Sequence, residues 1–472
     1  MSDFTMTIDG KAVAGASRFG VINPATGEVF AEAPDCSRAQ LDAAMESSKA
    51  ALRAWQADIG VRRKALLDVA EAIKARAGEI APVLVREQGK PLKDAMGEVI
   101  GAAVWFQVTA GLEIPVEVVS DTPENRIEVR RRPLGVVAAI TPWNFPLLLA
   151  VWKIAPALLA GNTLVIKPSP FTPLSTLLLG AVVRDVLPPG VVNVISGGDQ
   201  LGAWMTSHPV PRKISFTGSV ETGKKVAAAA APDLKRLTLE LGGNDAAIVL
   251  DDVSVDAVAE KLFWGAFQNC GQVCSAIKRV YVPEKLYSPL VEKLAALAKG
   301  VKVGDGFGDG VQMGPLNNKP QFDRVSMLVE DAKKAGARVA AGGSPLGGKG
   351  YFYQPTILAD VAEGVRIVDE EQFGPALPVV SYRNLDDAVE RANRTTFGLS
   401  GSVWSQDPER ATAVAGKLEC GTAWVNQHLA IVPFAPFGGA KWSGIGVENG
   451  KWGLLGFTEI QTVNIAKKPA GA

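Results

Sequence analysis

Cys274, in QNCGQVCSA, is the residue whose chemistry is easiest to exploit. A thiol needs no strong base to act as a nucleophile, because some thiolate is present near neutral pH. A nearby positive potential would raise that fraction. Glu240, in LELGG, ends an apolar run and precedes two glycines. Desolvation there would raise the proton affinity of its carboxylate, which suits a general base. Asn144 lies between two prolines in PWNFP, and prolines restrict the backbone on either side. A rigid amide donor is what an oxyanion hole requires. Lys167 closes the run TLVIK, and Gly218 and Ser219 follow KISFT. A lysine and a Gly-Ser turn at strand ends can hold a dinucleotide, although no GxGxxG occurs at the first of these turns. Each residue alone also has a plainer reading. The thiol could be a small buried hydrophobe, the carboxylate a solvent-facing or capping group, and the asparagine a helix cap.

Cys270, four residues before Cys274, would share its face if the segment were helical. No third ligand of suitable type is close in sequence, so no metal site is expected. The two histidines, His208 and His428, lack an obvious triad partner. His428 precedes PFGG and is open to two readings, at the mouth of a site or in packing.

Strands and helices must carry these groups. VVAAIT, TLVIK, VVNVI, KISFT and AAIVL are short apolar runs. Stretches long enough for helices separate most of them, at Leu147–Ala160, Thr172–Val186, Leu201–His208 and Gly223–Ala230. This alternation predicts βαβ units and a parallel sheet covered on both faces. Ligands of such sheets sit at the carboxyl ends of the strands, where PWNFP, KPSP, SGG and TGS fall. A second series begins near Asn244. It has strands at Arg279–Val282, Leu377–Tyr382 and Thr422–Val425, and helices near Tyr287–Lys299 and Gln321–Ala335. Upstream, Leu66, Ala70, Ile73, Ala77, Ile80 and Leu84 recur every three or four residues and predict one amphipathic helix. Another helix is expected over Leu92–Thr109. Arg126–Arg132 alternates like a half-exposed strand, either a solvated face or an arm for another subunit. Glu459–Ile465 reads as a lone terminal strand.

Composition bounds the function. The 472 residues are 47% hydrophobic and 21% charged, which excludes wholesale disorder and suggests two to four domains. Lys plus Arg and Asp plus Glu are each 49, so the formal net charge is zero. That argues against nucleic-acid binding by phosphate neutralisation. The apolar stretch Pro146–Gly161 is broken by Lys153 and Pro156 and is too short to span a bilayer. No secretory signal is evident, and four cysteines in so long a chain do not make a disulfide scaffold. A cytoplasmic protein is expected, with no nucleic-acid or membrane partner.

Taken together, PWNFP, AGNTLVIKPS, FTGS, LELGG, GQVC, EEQFGP and PFGGAKWSGIG, with NPATGE near Asn23, resemble the NAD(P)-dependent aldehyde dehydrogenase superfamily over nearly the whole chain. The resemblance implies an α/β fold with a Rossmann-like cofactor domain (1–111 and 134–243), an α/β catalytic domain (244–440), and a small β arm and tail for oligomerisation (112–133 and 455–472). It implies Cys274 as nucleophile, Asn144 with the Cys274 N–H as oxyanion hole, and Glu240 as the base that activates water against a thioester. Glu371 would bind the nicotinamide ribose, Phe373 would lie against the nicotinamide, and Lys167 would reach the adenosine ribose. Gly218 and Ser219 would line the pyrophosphate region, with Trp143, Ser169, Pro170 and Leu241 completing the cofactor site. NAD-preferring members often carry Glu where Pro170 stands, so NADP is expected to be accepted as well as NAD.

By the same resemblance the substrate pocket would include Phe145, Leu149, Trp152, Phe267, Val273, Ser275 and Ile431. These are mainly apolar, which favours an uncharged medium aliphatic or aromatic aldehyde. A homodimer or homotetramer is implied, paired through the arm and tail. Two alternatives stand beside hydrolytic oxidation. One is an acylating enzyme that passes the acyl group to coenzyme A; the other is a catalytically silent protein on the same fold.

Overall fold

The apolar runs become buried strands of two mainly parallel sheets. A computed structural model of the chain describes residues 4–468. Residues 1–3 of the expected cofactor domain and 469–472 of the expected tail lie outside the described residues. The first sheet has the spatial order Lys11–Val13, Met6–Ile8, Val192–Val194, Thr163–Lys167, Val136–Ile140, Lys213–Thr217, Arg236–Glu240 and Gly444–Ile445. Its five central strands are parallel. The N-terminal hairpin and Gly444–Ile445 join its two edges antiparallel.

Helices Pro146–Leu159, Leu174–Val186, Asp199–Ser207 and Val220–Ala230 connect these strands. From Val136–Ile140 the chain first builds toward Val192–Val194. It then crosses to Lys213–Thr217 on the other side. That reversal opens a crevice beyond the carboxyl ends of the two adjacent strands, where α/β sheets bind ligands.

The second sheet runs Arg338–Ala341, Thr356–Ala359, Ala376–Tyr382, Ile277–Pro283, Asp245–Val249, Ser400–Trp404 and Thr422–Val425. All its pairs are parallel except the first. Helices Val255–Phe267, Glu284–Gly300 and Lys319–Lys334 pack around it. After this sheet the chain returns to the first, where Gly444 pairs with Glu240. The chain that leaves the second sheet is therefore hydrogen-bonded into the edge of the first.

Three expectations are corrected. The periodic run Leu66–Leu84 is two helices, Ile59–Ala75 and Ala77–Gln88, meeting at Arg76. All six of its spaced residues are buried. The break takes one residue of irregular backbone, so the three-and-four spacing passes through it unaltered.

The terminal strand is not alone. Thr458–Ala466 pairs antiparallel with Asn125–Pro133 of the same chain along its full length, and Glu117–Asp121 covers the other side of the arm. Glu128 gathers Arg126 and Arg130, each at 2.7 Å. Lastly, Cys270 does not share a helix face with Cys274. Gln268–Gly271 is a single turn with Asn269 and Cys270 at φ of 51° and 59°. This directs Cys270 into the core beside the second sheet, where it is buried with Ile248 and Tyr281. Among the described residues, no helix is long and apolar enough to cross a membrane.

Candidate active site

A cleft of about 600 Å³ occupies the crevice at the chain reversal. Pro142, Trp143 and Asn144 enter it after the strand Val136–Ile140. Thr217 to Glu221 enter after Lys213–Thr217, and Leu241 and Gly242 after Arg236–Glu240. The facing wall comes from segments around the second sheet and includes Gln321, Arg324, Asp369 to Glu371, Phe373 and Cys274. The fold thus brings together Trp143, Asn144, Leu149, Gly218, Ser219, Leu241, Cys274, Glu371 and Phe373. Lys167, Ser169 and Pro170 follow the neighbouring strand and are not part of this lining.

Ser219 caps the helix Val220–Ala230, its hydroxyl accepting from Thr222 N–H. The positive end of that helix faces the cleft, a ready site for an anionic group. Trp143 and Phe373, which also line the cleft, meet edge to face with ring centroids 5.2 Å apart. Glu371 accepts a hydrogen bond from the Gly243 N–H at 3.0 Å. A Cβ on Gly242 would stand 2.2 Å from the Glu371 carboxylate, and one on Gly243 would stand 2.6 Å from the Cys274 carbonyl oxygen. The two glycines of LELGG therefore let the backbone after the strand Arg236–Glu240 approach both groups. Lys167 is buried, and its ammonium donates to the Pro168 carbonyl. Burial lowers its pKa to about 8, with Asp199 and Asp35 opposing the shift.

Asn144 is 3% exposed, and its Nδ2 donates to the Gln272 carbonyl at 3.0 Å. It does not cap the following helix. Glu98 does so, accepting from Leu147 and Leu148 N–H at 3.0 and 3.1 Å. The Asn144 backbone is held by Lys90, which donates to its carbonyl at 2.9 Å while pairing with Glu98 at 2.6 Å. The rigidity expected from the prolines is reinforced by this buried ion pair. Lys90 and Glu98 lie on a separate stretch of chain, and no local spacing announces them.

Glu240 is 4% exposed, and neither carboxylate oxygen has a hydrogen-bond partner among the described residues. Burial, then the charge of Glu448, raise its pKa well above the usual carboxylate range, while Lys153 opposes them. It is neither a cap nor a solvent-facing group. Lys153 and Glu448 form a buried ion pair at 2.8 Å, which sequence reading did not join. Cys274 is half-buried. Burial pushes its thiol up to about 12; Lys278 lowers it, and Glu240, Asp245 and Glu371 raise it further.

Beside the thiol, Leu149, Trp152, Leu399, Trp424 and Phe437 form an apolar cluster, and Leu149 also lines the cleft. Trp105, Phe145, Leu148, Cys274 and Ile431 pack against it. Trp152 stacks on Trp105 at 5.9 Å and meets Phe437 edge-on at 5.7 Å. Of the expected pocket residues, Phe145, Leu149, Trp152 and Ile431 belong here. Val273 and Ser275 flank the thiol and are buried.

Phe267 is a correction. Its ring lies in the core packed on the second sheet, stacked on Phe263 at 4.5 Å, because its helix turns that face toward the sheet. Trp105, Leu399, Trp424 and Phe437 were missed. Only Phe437 lay within a quoted motif; the others are distant in sequence. His428 donates from Nε2 to the Ser275 carbonyl at 2.7 Å and packs on Trp424. Burial lowers its pKa to about 3, so the ring is neutral.

Fold and site together define an α/β enzyme whose thiol lines a cleft of about 600 Å³ and packs against a buried aromatic cluster. The model of the aldehyde dehydrogenase family matches residues 12–463, and the chain belongs to that family. It is 39% identical over 464 residues to retinaldehyde dehydrogenase 3 of Homo sapiens, covering 95% of this chain and 90% of that one. It is 38% identical over 473 residues to the chloroplastic betaine aldehyde dehydrogenase of Beta vulgaris, covering 96% and 95% of the two chains. Among solved structures, the NAD+ complex of an aldehyde dehydrogenase from Bacillus cereus superposes with a TM-score of 0.97 at 36% identity. That match covers 99% of this chain and 97% of the other.

Proposed function

We propose that this enzyme oxidises an uncharged, medium aliphatic or aromatic aldehyde to its carboxylic acid, using NAD or NADP. One observation carries the proposal: Cys274 both lines the 600 Å³ cleft and packs against the aromatic cluster. A bound cofactor and an apolar substrate would therefore meet at its sulfur. The cleft fits a dinucleotide through its helix N-terminus, the Glu371 carboxylate as an acceptor for ribose hydroxyls, and the Trp143–Phe373 wall. Residues 1–111 and 134–243 would bind the cofactor, with 244–440 supplying the thiol.

When bound, the oxidised nicotinamide supplies the two-electron hydride acceptor. The Cys274 thiolate attacks the aldehyde carbon, and Asn144 Nδ2 with the Cys274 N–H holds the resulting oxyanion. One Nδ2 hydrogen serves Gln272, which leaves the second for the oxyanion. Once the substrate carbon is oxidised, the acyl group is a thioester on Cys274. Glu240, buried and short of partners, takes a proton from the water that attacks it. Net, aldehyde, water and oxidised cofactor give acid, reduced cofactor and a proton.

No residue of the apolar cluster carries a charge. Lys90 lies over the Phe145 ring but is bound to Glu98 and the Asn144 carbonyl. A substrate carboxylate would find no partner there. Pro170 gives no carboxylate to accept the ribose 2′-hydroxyl or to repel a 2′-phosphate, which supports use of both cofactors. The exposed valines Val116, Val118 and Val119 beside the arm support a homodimer or homotetramer. Four free thiols suit a reducing compartment such as the cytoplasm.

The test follows reduced-cofactor absorbance over a panel of aldehydes, with NAD and NADP separately, in wild type and Cys274→Ala, with and without coenzyme A. The expected result is wild-type turnover without coenzyme A, none in the mutant, and a cofactor preference below about a hundredfold (about 2.7 kcal/mol). Turnover that requires coenzyme A would replace hydrolysis with acyl transfer. No turnover with any aldehyde in folded enzyme would overturn the proposal.

A further inference from the structure

Lys278 is a buried cation that the reaction above does not use. Its side chain is 2% exposed. Its Nζ donates to three carbonyls of the turn that carries the thiol: Val273 at 2.7 Å, Cys274 at 3.0 Å and Ala276 at 3.4 Å. An ammonium has three donors, so the turn satisfies all of them. The same nitrogen lies 3.9 Å from Glu371 Oε1. The Lys278 backbone is fixed too, its carbonyl accepting from Gln372 Nε2 at 2.9 Å.

The 2.7 Å contact has a direct geometrical consequence. The Val273 carbonyl and the Cys274 N–H belong to one planar trans peptide and point in opposite directions. A cation that anchors the carbonyl therefore aims the N–H away from itself. We propose that Lys278 is a positioning residue for the oxyanion hole: by gripping the Val273–Cys274 peptide it orients the Cys274 N–H, and through Glu371 it ties the thiol turn to the cofactor cleft. This rests on the assignment of Cys274 as nucleophile.

The charge also matters for the thiol. Cys274 is faced by Glu240 from one strand, Asp245 from another and Glu371 from the facing segment, all of which oppose its ionisation. Lys278 is the cation that favours it. Glu240 is itself influenced by Glu448 and Lys153, and Glu371 by Arg324. His428, bonded to Ser275, is neutral in the working range.

The experiment compares wild type with Lys278→Met, which keeps most of the unbranched side chain and removes both charge and donors, and Lys278→Arg, which retains the charge. Folding is checked by circular dichroism. Lys278→Gln, uncharged but still a donor, substitutes should Lys278→Met not fold. Two quantities are read: steady-state kcat and KM for aldehyde, and the pH dependence of Cys274 alkylation by iodoacetamide, located by tandem mass spectrometry.

Lys278→Met is expected to lower kcat by tenfold to a hundredfold, with aldehyde KM changed less than threefold. Its alkylation is expected to be about tenfold slower at pH 8, a profile moved up by about one unit. Lys278→Arg should recover part of both. A folded Lys278→Met enzyme with wild-type kcat and alkylation profile would overturn the proposal, as would a loss confined to KM. If wild type itself oxidises no aldehyde, the proposed function fails. The alkylation profile still decides whether Lys278 acts on the thiol.

Discussion

Replacing Asn144 with alanine separates a catalytic role from a structural one. Among the described residues the side chain makes one hydrogen bond, from Nδ2 to the Gln272 carbonyl at 3.0 Å. Losing a neutral buried bond costs about 1 kcal/mol, and up to ~3 kcal/mol when a buried partner is left bare. Here the Gln272 carbonyl keeps Asn269 Nδ2 at 3.4 Å, so the lower figure applies. The main chain at 144 stays anchored, because Lys90 and Asn269 hold its carbonyl rather than its side chain.

Stability should therefore fall by only about 1 kcal/mol. The loss of one preorganised oxyanion donor, in contrast, raises the barrier by roughly 3–4 kcal/mol, a factor of 10² to 10³ in kcat. The assay pairs kcat at saturating aldehyde with denaturant unfolding of the same preparation. A folded Asn144→Ala enzyme within tenfold of the wild-type kcat would refute the oxyanion role. A stability loss of ~3 kcal/mol or more would show that the amide is chiefly structural.

Glu240→Gln should leave formation of the acyl-enzyme largely intact and slow its hydrolysis by about 10²–10⁴. Stopped-flow absorbance would then show a burst of about one reduced cofactor per site before a slow steady state; equal slowing of the burst would place Glu240 earlier in the reaction. Lys153→Met strands the buried Glu448 carboxylate and should cost about 3–5 kcal/mol in denaturant unfolding. Adding Glu448→Gln should recover much of that loss, and simple additivity of the two changes would argue against their coupling. Burial raises Asp245 from 3.8 to about 7, so its contribution to stability is full below pH 3.8 and is lost as pH rises toward 7. Asp245→Asn should flatten the stability–pH curve between about pH 4 and 7, and an unchanged slope would count against that shift. His428, lowered by burial to about 3, carries no charge to titrate near neutrality. His428→Gln should thus leave the shape of the pH–rate profile between pH 5 and 8 unaltered, and loss of an inflection there would contradict it.

Local pattern made much of the molecule legible. Strands such as Val136–Ile140 and Thr163–Lys167 are continuous apolar runs because both faces of the sheet are covered, and such runs stand out in a sequence. Cys274, Glu240 and Asn144 were visible as residue types at strand ends and in turns, and the resemblance of the flanking motifs implied that they share one site. The sequence also identified Pro170 as the departure that bears on cofactor choice. Tertiary structure decided what the carboxylates and cations do. The pKa of Glu240 depends on burial and on Glu448, which is 208 positions away. The rigidity of Asn144 depends on Lys90 and Glu98, and the aim of the Cys274 N–H on Lys278. Leu66 to Leu84 read as one helix because a single irregular residue does not disturb the period, and Phe267 read as a pocket residue because sequence position does not report which face of a helix meets a core. Propensity and periodicity act between near neighbours in the chain. Burial, charge and close approach act between neighbours in space, and only the folded chain brings those together.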